Sequence, residues 1–423
     1  MKVGARKGLY IIIWISLIQG FLSDYLRLGS IKYLNDVLLM MCLLSWMGKN
    51  SVYKCVCKKN KIYVYIPLLC FVFTILIGWF LNGMSFSLSL WGLRNYFRFY
   101  IFFFLCLNLF DIEDYKKIQN WLVKLFPLHI AIIMFQILIE HLSYDFLGGI
   151  FGKYQGCASG LMIYYGLLSM ILISKYNEKN ISLKKIFVYF FIMLTTSAIA
   201  ELKAYFLFLA GIIIIYAFLA NDKIKGAIIF GVGLIGVIVG LQLLIRYFPY
   251  YANFFTVENI IKQLTDKEST YTYRQGLDIG RSSIFYKLPP VVKDWGGEMA
   301  KWFGIGLGNG EYSSTFNFLK SDFYNTYSQS NYAFFSLAFL FVETGYLGVI
   351  AYLSFFIGME IVALKGYLRK RNKTNMIITM MPIFCLFLVY YNSSMRSNFA
   401  FVVFALLPMV FTEPWAVGKE NFK

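Results

Sequence analysis

Charge is scarce in this sequence. Asp, Glu, Lys and Arg make up 15% of the 423 residues, hydrophobic residues 59%, and mean hydropathy is +0.62. A soluble domain is about one-quarter charged, so that class is excluded. Histidine is nearly absent, with only His129 and His141. His129 is expected to be packed inside the fifth helix, and His141 at its outer end. No HExxH, paired CxxC or carboxylate cluster marks a metal site, and none is expected. No GxSxG is present, which argues against a serine hydrolase. The seven cysteines are odd in number and scattered. Cys42, Cys70, Cys106 and Cys385 lie in apolar runs, Cys157 lies in a loop, and Cys55-Val-Cys57 has no partners for zinc. No disulfide framework follows. A cleavable leader, an internal repeat and a low-complexity linker are also lacking, so the first apolar run reads as a retained helix.

Apolar runs long enough to cross a ~30 Å hydrocarbon core recur along the chain. They predict an all-α polytopic membrane protein, a single integral domain over 1–423. Twelve helices are expected, at 9–27, 33–47, 62–81, 93–110, 121–141, 159–175, 186–200, 203–220, 224–246, 331–364, 375–391 and 397–412. With the N-terminus in the cytoplasm, alternate inside segments carry 23 Lys and Arg and the short outside segments 7. This bias predicts that both termini are cytoplasmic. It also accounts for most of the net charge of +18 without nucleic acid.

The one long segment outside the apolar runs, 247–330, falls on the outer side. It holds eight cations and eight anions, so it is not a basic patch. Val257, Ile260, Ile261 and Leu264 recur at helical spacing, which suggests an amphipathic helix on the membrane or the bundle. Pro289-Pro290 is expected to break a second apolar pattern after Arg281. Gly304-Ile-Gly-Leu-Gly-Asn-Gly310 has no strand before it, so it reads as a tight turn or a close backbone approach and not as a nucleotide loop. The 34 residues of 331–364 exceed a plain span. Thr344-Gly345 offers a break, with Glu343 near the outer side.

Ionisable groups beside an apolar layer often mark a site. Arg94 and Arg98 share one helix face at i and i+4. Lys153, Glu201, Lys203, Arg274, Arg281 and Arg396 lie in outer turns and loops. Arg binds phosphate oxygens in pairs and Lys acts as a point charge, so such cations around one cavity would suit a lipid diphosphate. Taken singly, each could instead snorkel to headgroups or form a structural ion pair.

Four features resemble the O-antigen and capsular polysaccharide polymerases (Wzy-type) and the related O-antigen ligases. They are twelve helices with one large outer loop before the last spans, Ala200-Glu-Leu-Lys-Ala-Tyr205, Gly280-Arg281 followed by Gly304-Ile-Gly-Leu-Gly308, and Glu343-Thr-Gly-Tyr-Leu-Gly348. The resemblance implies a GT-C-like fold in the bacterial cytoplasmic membrane. It implies a glycosyltransferase that joins undecaprenyl-diphosphate-linked repeat units without a cofactor, with a chain-length regulator as a partner. It implies diphosphate contacts from Arg281, and from Arg94, Arg98 and Arg396. Ligases resemble one another in a loop His. None is present here, and Ser328-Gln-Ser330 stands near its place, which favours polymerase over ligase. Glu201 and Asp278, ahead of Glu311, are the candidate bases. A flippase for the same lipid is the non-enzymatic alternative.

Overall fold

The structure is a computed structural model that describes residues 2–47, 60–83, 85–220, 222–249, 252, 277–369 and 376–412. Among these residues it is helical throughout, with no strand. Nine helices precede the long loop: α1 (Lys2–Tyr25), α2 (Ile31–Met47), α3 (Lys61–Asn82), α4 (Phe86–Leu109), α5 (Ile112–Leu138), α6 (Ala158–Asn177), α7 (Leu183–Ile199), α8 (Lys203–Leu219) and α9 (Lys223–Tyr247). The described part of the loop holds α10 (Ile284–Gly296), α11 (Ala300–Phe303) and α12 (Asp322–Tyr327). The chain closes with α13 (Ser336–Arg369), α14 (Ile377–Tyr391), α15 (Ala400–Leu406) and α16 (Met409–Thr412).

Six described helices are long and apolar enough to cross a membrane by length and composition. Lys203–Leu219, Ile377–Tyr391 and Ala400–Phe411 are apolar but shorter. Phe73, Phe80, Phe218 and Ile235 point outward and stay exposed, while α6 is enclosed on nearly every side. Apolar residues both inside and outside are the character of a helical membrane protein. The expected helix over 257–264, the Cys55-Val-Cys57 pair and Arg274 lie outside the described residues.

Several boundaries differ from those read off hydropathy, each for a local reason. α5 starts at Ile112 and not near 121, because its polar first turns are anchored. Asp114 accepts the Asp111 N–H at 2.7 Å and also binds Arg6 and Tyr10 of α1. Against expectation, α10 runs straight through Pro289-Pro290. Proline removes a donor and frees a carbonyl one turn back. Those carbonyls belong to Phe285 and Tyr286 on the exposed face, where water can satisfy them. Ile284, Leu288 and Val292, four residues apart, face inward and keep the helix seated.

The foreseen break in α13 lies at Gly345, with φ 62° and ψ −166°. A Cβ there would press on the Trp302 backbone of α11, so only glycine allows the approach. At the break the Val342 carbonyl accepts the Ile305 N–H at 2.9 Å. The kink therefore seats the glycine loop 304–310 against the bundle.

Candidate functional site

The polar groups gather at one end of the bundle in three connected clusters. The first is built on the glycine loop. Its backbone is tied to two helices, α3 and α13: Asn82 Nδ2 donates to the Gly304 carbonyl at 3.0 Å, Trp79 Nε1 to the Leu307 carbonyl at 2.7 Å, and the Gly308 N–H to Glu343 Oε1 at 3.0 Å. Ile305 and Leu307 are wholly buried. The glycines thus serve a close approach to the protein's own helices. The loop ends on Glu311, which forms an ion pair with Arg396 from the turn after α14. The Arg396 guanidinium lies 3.4 Å from the centre of the Phe339 ring. Burial lowers its pKa, but Glu311, Tyr96 and Glu343 outweigh that and leave it above its ordinary value. Glu343 is fully buried, and its Oε2 has no hydrogen-bond partner.

The second cluster surrounds Asp36 of α2. Arg94 Nε donates to Asp36 Oδ2 at 3.0 Å, and Arg98 Nη1 reaches Asp36 Oδ1 at 3.5 Å. The two arginines do share a face, one turn apart, and both meet this carboxylate. Arg98 also donates to Asn398 Oδ1 at 2.5 Å and to the Arg396 carbonyl at 2.8 Å. It therefore pins the turn that carries Arg396.

The third cluster lies where the α7–α8 turn meets the long loop. Glu201 has a left-handed backbone, φ 57°, and Leu202 N–H returns to the Ser197 carbonyl at 2.8 Å. This tight reversal sets Glu201 beside Lys203, 3.3 Å away. Lys203 in turn feels the charge of Arg281. Arg281 Nε donates to the Tyr391 carbonyl at 2.6 Å, and the guanidinium stacks 4.2 Å from the Tyr391 ring and 5.2 Å from Phe335. Among the described residues no carboxylate pairs with it. Asp278, three residues earlier, accepts from Asn331 Nδ2 at 2.8 Å. The clusters join through residues 391–398: the Ser336 N–H donates to the Asn392 carbonyl at 3.0 Å, and Ser394 N–H to Asn392 Oδ1 at 2.9 Å.

Lys153 stands apart. Its ammonium contacts Glu140 at 2.5 Å and lies 4.5 Å from the Tyr25 ring. Burial pushes the Glu140 carboxyl up, but the hydrogen bonds from Lys153 and Tyr25 hold it below its usual range. Gln136 fixes the loop below, accepting the Gly149 N–H at 2.7 Å and donating to the Gly152 carbonyl at 3.0 Å.

Of the expected diphosphate contacts, then, Arg94, Arg98, Lys153, Lys203 and Arg396 are engaged by carboxylates, while Arg281 has stacked rings and one carbonyl. His129 is buried, accepting the Ile150 N–H at Nδ1 over 3.4 Å, and His141 is exposed. Sequence reading passed over Asp145, whose carboxyl is pushed above its ordinary value by burial and by the charge of Glu201, and Glu360 of α13, both of whose carboxylate oxygens are buried without a partner. Asp145 carries no motif, and Glu360 sits mid-run where hydropathy averages it away. No family model, no curated protein and no solved structure matches this chain.

Proposed function

We propose that this protein is a membrane glycosyltransferase that polymerises undecaprenyl-diphosphate-linked oligosaccharide repeat units on the extracytoplasmic face of a bacterial cytoplasmic membrane. The proposal includes the twelve-span, GT-C-like arrangement with cytoplasmic termini. The observation that carries it is Arg281. Its guanidinium lies over two aromatic rings, pairs with no carboxylate among the described residues, and acts on the charge of Lys203 at the end of an apolar bundle. A planar cation with no counter-ion among the described residues suits an anion with a lipid tail. In the reaction it would stabilise charge growing on the departing diphosphate. The loop 277–330 would cover the two glycans and exclude water.

The test uses the purified full-length protein in lipid nanodiscs with polyprenyl-diphosphate-linked glycans extracted from its host's membranes. A ladder of repeat multiples without added nucleotide is the expected product. Absence of any ladder overturns the proposal. One observation favours a transporter for the same lipid instead: the unpartnered Glu360 lies far along α13 from the polar end. Movement of the lipid across a vesicle membrane, with no ladder, would establish that reading.

A further inference from the structure

We propose that α10 and α11 are seated in the membrane interface at this end of the bundle, with Phe285, Met299 and Trp302 among the lipid headgroups and upper acyl chains. The partner of this surface is the bilayer itself. The long loop is then anchored by lipid as well as by the helices.

Depth is the first ground. α11 abuts α3 and α13 within the lengths of these helices that are apolar enough to span a membrane, Ile62–Asn82 and Ser336–Leu368. A Cβ on Gly78, one turn short of the end of α3, would lie 2.8 Å from the Phe303 carbonyl oxygen. A Cβ on Gly345, more than two turns into α13, would press on the Trp302 backbone. α11 therefore lies below the helix ends, beside apolar surface, and not above them in water.

Exposure and continuity are the other grounds. Phe285, Met299 and Trp302 are 44%, 50% and 50% exposed among the described residues. Ile284, Leu288, Val292 and Ala300 take the inward positions, so the outward side chains need another apolar neighbour. The Trp302 ring lies 5.5 Å from the Tyr346 ring, and the Phe285 ring 6.1 Å from it. Tyr346 heads a stripe on α13 that continues through Ile350, Ile357 and Ile361, which share one helix face by their spacing and stay exposed. Such a stripe on a spanning helix faces lipid. The aromatic group caps it at the polar end of the bundle, the level at which amphipathic rings gather in membrane proteins.

The backbone selects the headgroup layer over the hydrocarbon core. Pro289 leaves the Phe285 carbonyl without its helical donor. Water reaches that carbonyl among the headgroups and would not in the core. Lys293 and Lys301 both pair with Glu298 at the edge of the face, a charged rim suited to the same layer. One consequence rests on the glycosyltransferase reading. Arg281, one turn before Phe285 and lying over Phe335 and Tyr391, is then held at the level where a lipid-linked diphosphate carries its charge.

The experiment follows tryptophan fluorescence of the purified full-length protein in lipid nanodiscs. The phospholipids are unbrominated, brominated high on the acyl chain, or brominated near the chain end. Subtracting the emission of Trp302→Phe from that of the wild type isolates Trp302. Bromines high on the chain are expected to remove about half of this emission or more, bromines near the chain end less, and aqueous iodide little. Met299→Trp, compared with the wild type, adds a reporter on the same face without replacing Trp302, and is expected to give the same order. Quenching of both positions by iodide and not by brominated lipid places the face in water and overturns the proposal. Quenching by neither means that protein covers the face, from another segment of the chain or from a second copy, and overturns it equally. No substrate is present, so the depth result stands apart from the polymerisation assay. A failed ladder removes only the consequence drawn for Arg281.

Discussion

Replacing Arg396 by methionine should be among the most destabilising single changes outside the apolar core. The side chain is 11% exposed and its partner Glu311 1%. Glu343, fully buried, stands in the same field. Removing the guanidinium leaves the Glu311 carboxylate buried without its cation. Breaking a buried pair by deleting one partner costs about 3–5 kcal/mol. A stranded carboxylate only 1% exposed places this case near the upper end, close to a thousandfold in the folded-to-unfolded ratio at about 1.4 kcal/mol per tenfold. The assay is denaturant unfolding of the purified protein in micelles, followed by tryptophan fluorescence. Adding Glu311→Gln to Arg396→Met should recover part of the loss, because it removes the stranded charge, and the cycle isolates the pair. A loss under about 1 kcal/mol with no recovery in the double variant would refute the reasoning. The same double variant asks whether Arg396 also binds diphosphate. Wild-type polymerisation by a refolded double variant would assign Arg396 to structure alone.

Three further outcomes are expected. Gly308→Ala should cost about 2 kcal/mol or more in the same unfolding assay, since its φ is +97° and a Cβ would meet the Leu88 backbone; a cost near zero would refute that close approach. Glu140 has a folded-state pKa below its unfolded value, so its contribution is present above the unfolded pKa and disappears as pH falls through the folded one. Glu140→Gln should therefore flatten the acid side of the stability curve by about 1 kcal/mol at most, given that Lys153 is 35% exposed, and an unchanged acid slope would count against the Lys153 and Tyr25 contacts. Arg281→Lys keeps the charge but loses the fork, and with it at least one charge-assisted hydrogen bond of roughly 1.5 kcal/mol, so ladder formation should slow about tenfold with folding intact.

The helices were legible because hydropathy reports which segments avoid water. It does not report where a helix ends. α5 continues past its apolar stretch because Asp114 is anchored on Arg6 and Tyr10, contacts made 108 and 104 residues away in sequence. α10 crosses Pro289-Pro290 because its inward face, not its backbone pattern, decides its stability. The Gly345 break was legible, since a 34-residue run must be interrupted and glycine is where interruption is cheapest. The site was legible only as a set of residue types near one end of the bundle. Arg94 and Arg98 were placed on one face by their spacing alone, but Asp36, which meets both, could not be named from spacing.

Partners, more than positions, separate the cations of this end from one another. A cation beside an apolar layer carries a large desolvation penalty, and the fold answers it with a carboxylate wherever the cation is structural. Asp36 does this for Arg94 and Arg98, Glu311 for Arg396, Glu140 for Lys153 and Glu201 for Lys203. Among the described residues Arg281 breaks the pattern: its penalty is met by two aromatic rings and one carbonyl, which offset the cost without neutralising the charge.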